Sequence, residues 1–224
     1  MTRPTGYHHL AFMTKDMKAQ LEFFTQVMGL PLVALFPMHG VEGAWHGFVQ
    51  LDESTFLAFC QVPGVEQVES TVGVTHAGTG AGVSAPGTMQ HLAMKVGSEE
   101  ELLALRDRLR TNGVVVMGPI DHGMCRSLYF AGPEGLTLEA AWSGAPLDPD
   151  RWIDPEVCEA AGITPDDVAR FRSPAPFTPP AEPVPQPAID PAKPHLVYPE
   201  ADYAAMVALP DDVVTRSARY TEPP

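Results

Sequence analysis

The sequence predicts an α+β fold in which two βαβββ modules curl a mixed sheet around a cavity. Two observations support this prediction: a weak internal repeat within the first 142 residues, and the same order of strands and helix in both copies. A third observation, the proline-dense composition toward the end of the chain, indicates a C-terminal arm without a core of its own. The predicted divisions are a first module over 5–62, a linker over 63–87, a second module over 88–142 and an extension over 143–224.

The first copy opens with YHHLAFMT, whose alternating apolar residues predict a strand. The segment KDMKAQLEFFTQVMGL follows and predicts a helix, because Met17, Leu21, Phe24 and Met28 share one face and Gly29 ends the pattern. Three apolar stretches then predict three more strands: LVALF (32–36), GFVQL (47–51) and TFLAFCQV (55–62).

The second copy repeats this order. MQHLAMKV (89–96) predicts the first strand, and a helix follows with Ser98 as its N-cap and Gly113 as its end. VVVMG, SLYFA and LTLEAAW predict the remaining strands, and the last two form a hairpin through the turn Gly132-Pro133-Glu134-Gly135. After this module, a short helix is predicted with Thr164 as N-cap and Pro165 at its first position.

Superimposing the two copies aligns their polar residues. The first strands place His9 on His91, an offset of 82 residues, and the last strands place Ala58 on Glu139, an offset of 81. Glu139 lies among leucine, alanine and tryptophan, where an unpaired buried carboxylate costs several kcal/mol. The sequence therefore indicates that Glu139 either has a neutralising partner or faces water.

Composition excludes several classes of partner. The formal net charge of -14 and the pI near 4.8 leave no basic surface for nucleic acid or anionic membranes. We expect a cytoplasmic protein, because the chain has neither an apolar run of bilayer length nor a signal-peptide pattern at MTRPTGYHHLAF. The three cysteines share no CxxC spacing, so they predict neither a disulfide framework nor a zinc ribbon.

In a βαβββ module the first and last strands can lie side by side, so inward side chains of both meet in one cavity. Two modules could then bring together His9, His91 and Glu139, whereas the fourth equivalent position is Ala58. Two imidazoles and one carboxylate are the facial ligand set typical of non-haem Fe(II). The predicted cavity is therefore a metal cavity, in which a divalent cation would neutralise Glu139.

The segments GYHHLAFMTKDMKAQLEFFTQVMGL, MQHLAMKV and DHGMCRSLYFAGPEGLTLEAAW resemble the vicinal oxygen chelate superfamily. This superfamily includes glyoxalase I, extradiol ring-cleaving dioxygenases and bleomycin or fosfomycin resistance proteins, and the resemblance covers roughly residues 5 to 142. It implies metal ligands at His9, His91 and Glu139. Ala58 departs from the four-ligand pattern of glyoxalase I, whereas the remaining set matches the extradiol dioxygenases.

The resemblance also implies roles for residues around the metal. Tyr129 matches a tyrosine that binds a metal-bound catecholate, and His122 is a candidate acid–base group in the loop before it. His46 and Phe48 are predicted to line the cavity from the first module, and His76 lies in a linker that could close over it. Simpler interpretations remain open, with Tyr129 as a core aromatic residue and His122 as a solvated loop residue.

Three functional classes follow from these residues. The first is Fe(II)-dependent cleavage of a catechol-like aromatic by O₂. The second is a non-redox glyoxalase-like lyase or isomerase that uses Zn(II), Mn(II), Ni(II) or Co(II) as a Lewis acid. The third is a metal-free binding protein of the resistance type. We also expect a homodimer to which the proline-rich arm contributes.

Overall fold

A computed structural model of the chain describes residues 3–217. The chain divides into a compact unit over Thr5–Pro165 and a second unit that holds the C-terminal region from Asp166 onward. Both predicted modules lie within the first unit.

The first module contains one helix and one four-stranded mixed sheet. Its elements are β1 (His9–Met13), α1 (Met17–Glu22), a π-helical turn (Phe23–Val27), β2 (Leu32–Pro37), β3 (Trp45–Gln50) and β4 (Phe56–Gln61). The strand order is β1-β4-β3-β2, with β1 parallel to β4 and the other pairs antiparallel. The predicted pairing of the first strand with the last is confirmed.

Local interactions define both ends of the first helix. Asp16 caps the N-terminus, because its side chain accepts a hydrogen bond of 3.0 Å from the N–H of Ala19. The sequence predicted one regular helix, but its second half widens to a π-helical turn, in which the N–H of Met28 donates to the carbonyl of Phe23. Gly29 ends the segment with a φ of +88°, a conformation that glycine adopts without strain.

The second module repeats this arrangement. Its elements are β5 (Leu92–Lys95), α2 (Glu99–Thr111), β6 (Val116–Asp121), β7 (Arg126–Ala131), a 3₁₀ turn (Pro133–Gly135) and β8 (Thr137–Trp142). The strand order is β5-β8-β7-β6, with β5 parallel to β8. Ser98 caps α2 by accepting from the N–H of Glu101 at 3.1 Å, as predicted.

The core lies on the helix-covered faces of both sheets. Alternate strand residues point to this face, as Phe12, Leu57 and Phe59 do in the first module and Met94 and Leu138 do in the second. Side chains from both modules form one hydrophobic cluster. The opposite faces of the sheets carry His9 and Glu139, two of the predicted metal ligands.

Glu134, at the tip of the β7–β8 hairpin, links the two modules. One carboxylate oxygen accepts from the N–H of Lys15 at 2.9 Å, and the other accepts from the amide of the buried Gln20 at 2.8 Å. Arg108 of α2 makes a second link, because its guanidinium donates to the carbonyls of Val27 at 2.7 Å and Gln26 at 2.9 Å. The Arg108 bonds satisfy carbonyls that the end of the π turn leaves open.

The chain continues beyond the modules with short helices. The first unit contains α3 (Pro149–Trp152) and α4 (Pro155–Ala160), which the sequence did not predict. The helix predicted to begin at Pro165 is observed as α5 (Pro165–Arg172), and the proline-dense stretch after it has neither helix nor strand. Two further helices follow, α6 (Glu200–Val207) and α7 (Asp211–Ser217). Within residues 3–217, none of the helices is long and apolar enough to cross a membrane.

Candidate metal and substrate site

The strand register confirms that Ala58 and Glu139 occupy equivalent positions. Ala58 pairs with Ala11 of β1, and Glu139 pairs with Ala93 of β5. Because side chains alternate between the two faces of a strand, both residues point away from the helix-covered core. Only the second module therefore carries a carboxylate at this position.

His91 and Glu139 form the centre of the candidate site. The Nε2 atom of His91 lies 2.8 Å from Oε2 of Glu139, whose side chain is only 6% exposed. His91 immediately precedes β5, and β5 runs beside β8, so the parallel pairing brings the two residues together. An imidazole thus provides the partner that the buried carboxylate requires.

Tyr129 lies on the same sheet face, one strand from Glu139, with which it is paired in register. Its ring also lies 6.1 Å from that of His91, centroid to centroid. Burial, and after it the negative charge of Glu139, raises the pKa of the Tyr129 hydroxyl above its ordinary value. The hydroxyl is therefore held in its neutral form, which can donate a hydrogen bond.

His122 lies beside this tyrosine. Its Nε2 atom is 3.1 Å from the hydroxyl of Tyr129. The loop that carries His122 is held by Asp121, which accepts from the N–H of Gly123 at 2.8 Å and from Nε of Arg126 at 3.2 Å. The Gly123 N–H and then the Arg126 guanidinium lower the pKa of the Asp121 carboxyl. The structure therefore brings together four of the predicted site residues: His91, Glu139, Tyr129 and His122.

His9 lies in a second cluster, on the equivalent face of the first module. Its ring is 5.5 Å from Phe48 and 6.3 Å from His46, centroid to centroid. Phe48 in turn stacks on Phe36 at 6.0 Å, which makes this face largely aromatic. Burial, and after it the neighbouring His9, lowers the pKa of His46. Among residues 3–217, the buried Nε2 atom of His46 has no hydrogen-bond partner.

His76 is placed differently from the other predicted residues. Its Nδ1 atom contacts the hydroxyls of Thr75 at 3.0 Å and Ser70 at 3.3 Å. Its Nε2 atom lies against Gly135, at the tip of the β7–β8 hairpin, so closely that a Cβ at that glycine would collide with it. The linker containing His76 therefore packs on the second module.

The donor chemistry of the central pair fits a divalent cation. A carboxylate and an imidazole nitrogen are ordinary ligands for such ions, and both atoms here point at the same space. Within residues 3–217, however, no group of three or more His, Cys, Asp or Glu side chains is arranged to hold a metal ion. Two of the three predicted ligands thus meet in the structure, and His9 is not grouped with them.

No sequence pattern identified Gln90, which contacts the candidate ligand His91. The Oε1 atom of Gln90 is in hydrogen-bonding contact with Nδ1 of His91. Neighbouring residues in extended chain normally point to opposite sides, so no periodicity could have identified this contact.

A groove also lies apart from these residues. It has a volume of about 930 Å³ and separates α1 from β2 on the helix-covered side of the first module, where Leu21, Leu35 and Trp45 line it.

Comparison with known proteins agrees with this architecture. The family model described as Glyoxalase/Bleomycin resistance protein/Dioxygenase superfamily matches residues 6–140. The chain belongs to the Glyoxalase/Bleomycin resistance protein/Dioxygenase superfamily.

Several solved structures are similar in fold. A glyoxalase/bleomycin resistance/dioxygenase domain from Frankia sp. EAN1pec has a TM-score of 0.50 and 14% identity, covering 63% of this chain and 99% of that one. TnmS3, an antibiotic binding protein from Streptomyces sp. CB03234, has a TM-score of 0.46 and 18% identity, covering 64% of this chain and 100% of that one. A third similar structure is a mutant of the fosfomycin resistance protein FosX from Listeria monocytogenes, in complex with Mn(II) and a dihydroxypropylphosphonic acid. It has a TM-score of 0.44 and 14% identity, covering 68% of this chain and 100% of that one. A search of curated proteins found no match.

Proposed function

We propose that this protein is a metal-dependent enzyme that cleaves a catechol-like aromatic in the extradiol manner, with Fe(II) and O₂. The observation that supports this most is the buried His91–Glu139 pair beside a tyrosine whose hydroxyl reaches His122. The pair supplies cation ligands, and the adjacent residues supply groups that bind a phenolic oxygen and transfer a proton. A chain that only bound an apolar ligand would have no use for a buried carboxylate at this position.

The metal would be held by His91 and Glu139, with His9 as the proposed third ligand. The Nδ1 atom of His9 lies 2.9 Å from Nδ1 of His8, which leaves the Nε2 atom of His9 for another partner. Fe(II) held by these residues would supply the redox chemistry that ring cleavage by O₂ requires. No external reductant is needed, because ring cleavage places both oxygen atoms in the product.

Tyr129 and His122 have separate roles in this proposal. The Tyr129 hydroxyl is neutral, so it donates a hydrogen bond to a substrate oxygen and orients the ring. His122, in contact with that hydroxyl, accepts the proton that the catechol loses on binding and returns it later in the reaction. The Asp121–Arg126 pair holds the His122 loop in reach of the tyrosine.

The aromatic face of the first module would contact the substrate ring. Phe48 and His46 are close neighbours, with ring centroids 4.4 Å apart, and offer an aromatic surface. His76 is the proposed contribution of the linker, although its observed partners are Ser70, Thr75 and Gly135. A planar aromatic substrate suits such a surface better than a small aliphatic one.

A second candidate function keeps the metal and changes the reaction. The His91–Glu139 pair selects a divalent cation but no particular redox chemistry, so Zn(II), Mn(II), Ni(II) or Co(II) could act there as a Lewis acid in a lyase or isomerase. Tyr129 and His122 would then move protons on a non-aromatic substrate.

One experiment separates the candidates. Purified protein is analysed for metals, loaded anaerobically with Fe(II), and assayed for O₂ uptake with a panel of catechols. Ring cleavage predicts O₂ uptake equal to the catechol consumed, together with a yellow ring-opened product. O₂ uptake with none of the catechols by protein that retains Fe(II) would refute the dioxygenase proposal and favour the Lewis-acid function.

We further propose a cytoplasmic homodimer to which the C-terminal arm contributes. Exposed apolar side chains in this arm support the proposal, among them Leu196, Val197 and Tyr198. The test is the mass in solution of the full chain and of a chain that ends at Ser173, measured by light scattering. A full-length monomer would refute the dimer, and an unchanged dimer after truncation would refute the role of the arm.

A further inference from the structure

We infer that Gln90 is a positioning residue: it holds His91 with the proton on Nδ1 and ties that histidine to the glycine-rich linker. The amide nitrogen of Gln90 donates to the carbonyls of Thr79 at 3.0 Å and Gly82 at 3.1 Å. Its amide oxygen contacts Nδ1 of His91. One side chain therefore joins the linker to the candidate ligand.

The orientation of the Gln90 amide follows from its partners. Backbone carbonyls only accept hydrogen bonds, so the NH₂ group must face Thr79 and Gly82. The oxygen must then face His91, and an amide oxygen can only accept. Nδ1 of His91 therefore carries a proton.

This assignment determines what His91 offers on its other side. Nε2 of His91 faces Oε2 of Glu139 at 2.8 Å. At this distance the two atoms share either a proton, which Nε2 donates to the carboxylate, or a divalent cation that both atoms bind. Gln90 thus presents Nε2 as a metal ligand, in the way that outer-shell partners of metal-bound histidines do.

The linker that Gln90 holds also covers Tyr129. A Cβ added at Gly80 would lie 3.0 Å from the Tyr129 ring, so the backbone of the linker is in close contact with that ring. Thr79 and Gly82, the two carbonyl partners of Gln90, flank this contact. Gln90 therefore couples the position of the linker over Tyr129 to the orientation of His91.

The first module contains a corresponding contact. His8 is the repeat equivalent of Gln90, and its Nδ1 atom lies 2.9 Å from Nδ1 of His9. In both modules the residue before the candidate ligand therefore contacts Nδ1 and leaves Nε2 available. The contacting residue differs between the modules, but the contact to Nδ1 is the same. This indicates that the orientation of the histidine matters more than the type of residue that contacts it.

Two substitutions separate the two tasks of Gln90. Gln90→Glu retains an oxygen that accepts from Nδ1 but cannot donate to Thr79 and Gly82. Gln90→Ala removes both interactions, and Gln67→Ala, at an exposed position of the linker, is the matched control. The ring nitrogens of His91 are observed by NMR in metal-free protein labelled with ¹⁵N-histidine, assigned with a His91→Gln spectrum. Hydrogen exchange of residues 77–87 and affinity for Zn(II) alone are measured in parallel.

The expected results differ among the variants. Wild type and Gln90→Glu should show a protonated Nδ1, and Gln90→Ala should lose this preference and bind Zn(II) about 10- to 100-fold more weakly. Hydrogen exchange in the linker should be roughly 3- to 10-fold faster than in the wild type in both Gln90 variants. In the control Gln67→Ala it should stay at the wild-type rate. Gln90→Glu should bind Zn(II) at least as tightly as the wild type.

Three outcomes would overturn the inference: an unprotonated Nδ1 in wild type, ring signals of Gln90→Ala that match those of Gln67→Ala, or linker exchange unchanged in Gln90→Glu. The metal part of the inference rests on the proposed function, but the proton assignment does not. A wild type that fails to bind Zn(II) while Nδ1 is protonated would count against the proposed metal site and support the positioning role of Gln90.

Discussion

Oε2 of Glu139 lies 2.8 Å from Nε2 of His91, although the two residues belong to different strand segments of the second module. The equivalent position in the first module is Ala58, which cannot bind a cation. The candidate metal site is therefore asymmetric within a repeated fold, with its only carboxylate in the second module.

The first prediction concerns this carboxylate. Glu139→Gln keeps the shape of the side chain and removes the only anionic ligand, so we expect affinity for Fe(II) and Zn(II) to fall roughly 100-fold or more. Calorimetry and metal analysis measure this loss, and Glu66→Gln, at an exposed position, should leave affinity unchanged. Wild-type occupancy in Glu139→Gln would show that the metal binds elsewhere.

The second prediction assigns different effects to Tyr129 and His122. Tyr129→Phe should lower catechol turnover by about 10- to 100-fold with the metal retained, because one charge-assisted hydrogen bond is lost. His122→Ala should lower turnover by roughly 10²- to 10⁴-fold and remove one limb of the pH–rate profile. O₂ uptake measured across pH tests both. An unaltered rate and pH profile in His122→Ala would mean that His122 is not the acid–base group.

The third prediction follows from the lowered pKa of Asp121. A carboxyl whose pKa is lower in the folded state stabilises the fold above its unfolded pKa, near 3.9, and this contribution is lost as pH falls through the folded value. Asp121→Asn should therefore be less stable than wild type at pH 6, and the difference should shrink below about pH 4. Urea unfolding at several pH values measures it, and a difference that stays constant down to pH 2.5 would contradict the assignment.

The fourth prediction concerns the link between modules. Glu134→Ala leaves the N–H of Lys15 and the buried amide of Gln20 without their acceptor, which should cost about 2–4 kcal/mol in the free energy of unfolding. The matched control is Glu53→Ala, at the equivalent turn of the first module, where the glutamate is exposed. Urea unfolding compares the two variants, and equal losses would show that the Glu134 contacts add nothing.

The repeated fold could be predicted from sequence because it depends on local periodicity. Alternation along strands decides which residues share a sheet face, and the same alternation in two copies aligned Ala58 with Glu139, as the register confirms. The ends of α2 could be predicted from Ser98 and Gly113 for a similar reason, because capping is local. Ser98 accepts from a nearby backbone N–H, and Gly113 adopts the positive φ that follows the helix. The helices α6 and α7 were missed because no strong apolar face marks them.

The contacts of the site depended on tertiary structure. Periodicity placed His9, His91 and Glu139 on inner faces, but rotamers and the docking of two modules decide which atoms come within 3 Å of each other. The structure pairs His91 with Glu139 and places His9 beside His46 and Phe48. The sequence by itself determined the modules, their register and the candidate ligands. Only the folded chain decided that Gln90 orients His91, because that contact joins a strand to a linker whose path no local pattern encodes.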